Sequence, residues 1–243
     1  MHPEICKLGP LTIYSYGLML VIGFTLATLL ASAEAKREGI EPDIIFNLCF
    51  IVFVSGVIGA RIFYVFSNLG YYLQNPLETI MLQKGGLAWF GGLTLGVSSG
   101  IFYLRLRKLP VYKIADLLVP FVALAQSIGR LGCFFNGCCY GKESAFGVYF
   151  PAFDAILIPT QLYSSLLLVF IFIFLRFLQT RRHKPGLIFF AYLLLYSSKR
   201  FFIEFLRGDS PVLALGLTLF QFISIFVFLI AGLAIFFIKT RKN

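Results

Sequence analysis

Seven runs of about 20 apolar residues, the length needed to cross a hydrocarbon core roughly 30 Å thick, occupy most of this 243-residue chain. They lie near 10–33, 44–67, 86–104, 112–129, 157–178, 186–206 and 216–238. Backbone amides in lipid must be satisfied within their own segment, so such runs fold as helices. With 59% hydrophobic and 13% charged residues, the chain has too little polar surface to cover a soluble globule. The expected fold class is all-α: a polytopic membrane protein of about seven transmembrane helices, forming one integral membrane domain over 1–243. The first run has no basic leader and no small-residue cleavage site, and it reads as a retained helix.

A net charge of +10 would suit a nucleic-acid partner if the charge were spread over one surface. Here the basic residues stand in short clusters between apolar runs, a pattern that orients a protein in a bilayer, and no nucleic acid is expected. Lys36 and Arg37, the group from Arg105 to Lys113, the group from Arg176 to Lys184, and Lys239, Arg241 and Lys242 all fall on one face of a seven-span arrangement. By the positive-inside rule that face is cytoplasmic, which places the N-terminus outside and the C-terminus in the cytoplasm. Gly92, Gly96 and Gly100, and likewise Gly23, Ala27 and Ala31, recur at helical spacing and are read as close-packing faces.

An arginine within a span needs a partner or a polar cavity, because a charge there costs at least ~2.5 kcal/mol. Arg61 lies inside the second span, Arg130 closes the fourth, and Arg200 lies near the end of the sixth. There Tyr196, Arg200, Glu204 and Arg207 share one helical stripe. Glu204 pairing with Arg200 or Arg207 as a stapled helix end is one reading; a phosphate clamp of fork-shaped guanidinium donors from three helices is the other. The two histidines, His2 and His183, lie where neither serves an outward-facing site, so a His-containing triad or His-rich metal centre is not expected. Cys133, Cys138 and Cys139 follow Arg130 on the outward side, where a disulfide is permitted. Their spacing, C-x4-CC, is not a recognised zinc pattern, so a structural or disulfide role is favoured over substrate contact, with no metal and no cofactor expected.

Six ordered motifs carry a resemblance: YGLMLVIGF from Tyr16, GARIFYV around Arg61, GGLAWFGGL from Gly85, GRLGCFFNGCCYG from Gly129, PTQLY from Pro159 and YSSKRFFIEFLRGD from Tyr196. Over nearly its whole length the chain resembles bacterial prolipoprotein diacylglyceryl transferases, enzymes of the cytoplasmic (inner) membrane. The resemblance implies transfer of diacylglyceryl from phosphatidylglycerol to the lipobox cysteine thiol of a prolipoprotein signal peptide, among membrane lipids, with a thioether formed and glycerol phosphate released. It assigns Arg130, Arg200 and Tyr16 to catalysis, and Arg61, Asn136, Gly141, Gln161, Tyr196 and Glu204 to substrate binding. A paralogue with another acceptor and a non-catalytic phospholipid-binding protein are the alternatives.

The chain departs from the family pattern at four places. Cys133 stands where many members have asparagine, Cys138 where many have glutamate, and Phe90 where the family has a histidine. Ile158 replaces the histidine that usually precedes Pro159. With Phe90 unable to handle a proton, an electropositive pocket is expected to raise the thiolate fraction of the acceptor, with Tyr16 or Glu204 as a relay.

Overall fold

The computed structural model describes residues 4–8, 11–81 and 85–240. Helices account for most of it, in the order α1 (Ser15–Arg37), α2 (Pro42–Ser67), the short α3 (Leu69–Gln74), α4 (Trp89–Leu106), α5 (Val111–Asn136), α6 (Thr160–Gln179), α7 (Leu187–Glu204) and α8 (Leu219–Thr240). A long helix stands at each of the seven expected positions. Five of them, α1, α2, α5, α6 and α8, are long and apolar enough to cross a membrane. The other two are 18 residues each. Glycines dilute α4, and Lys199, Arg200 and Glu204 dilute α7.

The structure is mostly helical, as expected, and three two-stranded antiparallel sheets accompany the helices: β1 (Glu4–Leu8) with β2 (Leu11–Tyr14), β3 (Glu143–Phe150) with β4 (Ala155–Leu157), and β5 (Val212–Ala214) with β6 (Leu217–Thr218). The first hairpin replaces the start of the first expected span, which begins at Ser15. Apolar strand and apolar helix are indistinguishable by hydropathy over so few residues.

The chain divides into two compact units, 32–114 and the remainder. In the unit 32–114, α2 and α4 pack through glycines. A methyl group on Gly92 would lie 3.0 Å from the Gly56 carbonyl oxygen, and one on Gly96 3.2 Å from that of Val52. Such contacts let two backbones touch and gain dispersion energy that lipid cannot replace. Ser55 and Ser99 hydroxyls, 2.6 Å apart, join the same pair of helices.

The other unit has its core where α5, α6 and α7 meet, in Val119, Ala123, Leu168, Ile171, Leu175, Ile188 and Tyr192. The start of α7 is held by a carboxylate from another helix. Asp116, buried in α5, accepts hydrogen bonds from the amides of Gly186 (2.6 Å) and Phe189 (2.7 Å), satisfying donors that the first turn leaves open. The start of α8 is a capping box: Thr218 N–H donates to Gln221 Oε1 (2.9 Å), and Gln221 N–H to Thr218 Oγ1 (3.4 Å). Helix α1 rides close on α5, since a methyl group on Gly23 would lie 3.0 Å from the Ala125 oxygen. Ala27 and Ala31 continue that buried small-residue face, as the spacing predicts.

Candidate active site

The segment after Arg130 folds as its sequence dictates. Asn136 ends α5, and Gly137 takes a left-handed φ of 74°, a conformation glycine enters without steric cost. The Gly137 amide then bonds the Phe134 carbonyl and the Cys138 amide the Cys133 carbonyl, both at 3.1 Å. This double closure is a Schellman motif, and it folds the residue after the glycine back over the last helical turn. Cys138 is thereby returned to Cys133. Cys139 is itself left-handed, with φ 64°, a strained state for a residue with a β-carbon that is typical of functional positions.

Two side chains from the first turn of α6 pin this turn. Thr160 Oγ1 donates to the Cys139 carbonyl (2.6 Å), and Gln161 Nε2 to the Cys138 carbonyl (2.7 Å). The result is a cluster in which the Sγ atoms of Cys133, Cys138 and Cys139 all lie within 4.8 Å of one another. All three are free thiols. Hydrogen bonds from the Cys133 and Cys138 thiols, aided by the charges of Arg207 and Arg130, hold the Cys139 thiol well below its ordinary range against the opposing effect of burial. Asn136 lies in hydrogen-bonding contact with Cys138. Gly141 follows at a point where three segments cross. Its amide bonds the Ile158 carbonyl, and a methyl group there would meet Ile158 Cβ and the Leu206 oxygen at 2.7 Å. Glycine is required at 141 by close packing.

Arg130 faces this cluster. Its guanidinium is within electrostatic reach of Tyr196, Cys133, Cys139 and Arg207, and Tyr16 at the start of α1 stands among Arg130 and the three cysteines. Among the described residues Arg130 has neither an ion pair nor a hydrogen bond. On α7, Lys199 is buried, donates to Ser164 Oγ (3.0 Å) and lies 4.4 Å from the Tyr196 ring centroid, with Arg130 and Arg200 as charged neighbours. The stapled helix end is also present. Arg200 Nη2 stands 3.0 Å from Glu204 Oε2, Arg207 reaches the same carboxylate at 4.0 Å, and Thr218 Oγ1 donates to Glu204 Oε1 (3.0 Å). Arg207 further grips Asp209 with two bonds of 2.8 and 2.6 Å. Among the described residues four cations, Arg130, Lys199, Arg200 and Arg207, thus stand near two carboxylates, Glu204 and Asp209, and both carboxylates are engaged by Arg200 or Arg207.

Arg130, Arg200, Tyr16, Tyr196, Glu204, Asn136, Gly141 and Gln161 therefore belong to one unit, and most of them to one neighbourhood. Gln161 holds the cysteine turn, and Gly141 packs beneath it. Arg61 belongs to the other unit, where its fork is already occupied. It donates to the carbonyls of Glu78, Thr79 (2.8 Å), Met81 (3.3 Å), Gly85 (2.6 Å) and Gly86 (3.1 Å), which uses all five guanidinium N–H groups. Arg61 thus ties the carbonyls of 78–81 to those of 85–86, with its fork already occupied. Phe90, in the first turn of α4, is exposed and packs edge-on against Trp89. Sequence reasoning missed Lys199, although it lies three residues after Tyr196 and so on the same helical face.

Taken together, fold and site define a polytopic helical membrane protein with a cluster of cationic side chains beside a group of thiols. Within that class the chain belongs to the prolipoprotein diacylglyceryl transferase family, whose model matches residues 3–238. It is 35% identical over 252 residues to the phosphatidylglycerol–prolipoprotein diacylglyceryl transferase of Clostridium tetani, covering 100% of both chains. It is 38% identical to that of Streptococcus pyogenes serotype M1, covering 100% of this chain and 96% of the relative. To the transferase numbered 2 of Clostridium perfringens it is 37% identical, covering 96% and 93%.

Proposed function

We propose that this protein transfers the diacylglyceryl group of phosphatidylglycerol to the thiol of a prolipoprotein's lipobox cysteine, forming a thioether and releasing glycerol phosphate. The observation that carries this reading is Arg130, a guanidinium with no carboxylate partner among the described residues, grouped with Lys199, Arg200 and Arg207. Such a cluster accepts a phosphate diester. More importantly, it stabilises the second negative charge that appears on phosphate as the carbon–oxygen bond breaks. Arg130 supplies the open fork. Arg200 and Arg207, aligned by Glu204, supply the field around it, and Tyr196 and Tyr16 border the reacting centre.

Lipid access fits the same unit. Beside Ser197 and Ser198 on α7, a groove of about 250 Å³ opens against Ser224, Ile225, Phe228 and Leu229 of α8. Its lining is almost wholly apolar, suited to an acyl chain. The reading extends to the finer topology: all seven long helices span the bacterial cytoplasmic membrane as one transferase domain, with the N-terminus outside and the signal peptide approaching from that side. The match over 3–238, which includes both compact units, supports a single working domain. The test is purified protein incubated with phosphatidylglycerol and a lipobox peptide, with mass spectrometry for the thioether. A peptide mass increased by one diacylglyceryl group supports the reading; unmodified peptide alongside bound lipid would leave a lipid-binding protein.

A further inference from the structure

We propose that Cys133, Cys138 and Cys139 form a zinc(II) site with three protein thiolates and a fourth position that receives the acceptor thiol. The proposal goes beyond the transferase reading and, for the identity of the fourth ligand, rests on it. It stands against the expectation, drawn from their spacing, that these cysteines hold no metal.

Geometry comes first. Tetrahedral zinc at about 2.3 Å from each sulfur needs sulfurs about 3.8 Å apart, and the three Sγ atoms lie within 4.8 Å of one another. The frame is also fixed before any ion arrives. The Schellman closure places Cys138 against Cys133, the left-handed Cys139 turns the third sulfur inward, and Thr160 and Gln161 hold the two intervening carbonyls. Backbone bonds of this kind orient ligands more firmly than rotamers alone.

The donor set selects the ion. Three thiolates form a soft site that favours zinc or copper(I) over magnesium or calcium. Three thiolates with a dication sum to a single negative charge, which the neighbouring Arg207 stands ready to balance. Three protein ligands, rather than four, leave one coordination position for a substrate, the pattern of a catalytic zinc.

That position supplies what the acceptor thiol lacks at pH 7, a means of shedding its proton. Glu204, the nearest carboxylate on the arginine stripe, is committed to Arg200 and Thr218. His183 stands before the start of α7, whereas the cysteines neighbour Arg207 beyond its end. A thiol that binds zinc loses its proton to solvent on coordination. The zinc-bound sulfur then attacks the glycerol carbon of the phosphatidylglycerol held at Arg130. The carbon–sulfur bond forms, the carbon–oxygen bond breaks, and its electron pair leaves on glycerol phosphate. The thioether product is a weaker ligand and departs.

Three measurements test this. Purified wild-type protein should contain about one zinc per chain by elemental analysis, and the Cys133→Ser/Cys138→Ser/Cys139→Ser variant should contain none while keeping its helical circular dichroism. Cobalt(II) substituted into the wild-type protein should show thiolate charge-transfer and tetrahedral ligand-field bands. The ligand-field bands should shift on adding a lipobox peptide and stay unchanged with its Cys-to-Ser analogue; this readout needs no variant and no turnover. Chelator-treated protein should lose roughly thirtyfold in transfer rate at pH 7, where a free thiol with pKa near 8.5 is only a few per cent ionised, and should approach the zinc-loaded rate at pH 9. Zinc should restore the loss at pH 7. Cobalt bands that respond to the thiol without any thioether product would support the site and overturn the transferase reading. Full transfer at pH 7 by metal-free protein, or a disulfide among the three cysteines in active protein, would overturn the site and leave the transferase reading intact.

Discussion

At the residue scale, the chemistry rests on which cations remain uncommitted. Arg200 and Arg207 have carboxylates, Lys199 has a hydroxyl and a ring, and among the described residues the Arg130 side chain has neither. Replacing Arg130 with alanine should therefore lower kcat by about 10²–10³-fold, the scale of losing one donor to a developing anion. Lysine at 130 should recover little, because a point charge cannot make the paired fork contacts. Arg200→Ala should cost comparably and should also free the buried Glu204. Steady-state kinetics on both variants decides the matter, and an Arg130→Ala protein with wild-type kcat would remove the clamp from the mechanism. The Tyr196, Arg200, Glu204, Arg207 stripe was legible in the sequence because helical spacing alone places it. The cysteine cluster was not. Its thiols are brought together by a helix-ending turn, so the relevant signal was Asn136-Gly137 as a reversal and not the distance between cysteines.

At the element scale, helix ends carry much of the architecture. The start of α7 depends on Asp116, which belongs to α5 and caps it from a distance along the chain. Asp116→Ala should destabilise the protein by on the order of 2 kcal/mol, as two amides lose their acceptor, while Asp116→Asn should cost less by keeping one acceptor oxygen. Thermal unfolding in detergent measures both, and an unchanged Tm for the alanine variant would show that the cap contributes nothing. No sequence pattern announces this contact, because the partners are some 70 residues apart. The capping box at Thr218 and Gln221 is local and could have been read directly. The hairpins escaped for a different reason: strands such as Leu11–Tyr14 are too short for periodicity to separate them from the helices they adjoin.

At the scale of the whole molecule, hydropathy located every long helix, because the bilayer permits few alternatives. It could not reveal that the chain forms two compact units, since apolar runs look alike whichever neighbours they choose. Orientation remains a matter of charge, and it yields a direct test. Cys6 is exposed on β1, so a membrane-impermeant maleimide applied to intact cells should label it. A cysteine introduced at Thr240, at the end of α8, should react only after the cells are opened. Labelling of the Thr240 variant in intact cells with protection of Cys6 would invert the topology.

The buried Lys199 beside Arg130 and Arg200 has a kinetic consequence. Like charges gathered in a low-dielectric place repel one another, and the cheapest relief is an anion from outside. The resting enzyme is therefore expected to be in exchange with whatever phosphate ester is at hand, and turnover becomes the replacement of one ester by another. Glycerol phosphate, once formed, lingers until fresh lipid displaces it. It should inhibit competitively with phosphatidylglycerol and non-competitively with the peptide, and the inhibition should weaken as salt rises. Lys199→Met should relax that grip, raising the inhibition constant for glycerol phosphate more than it slows the first turnover. Rapid-quench measurement of the first turnover, set beside the steady-state rate, would show whether release sets the pace.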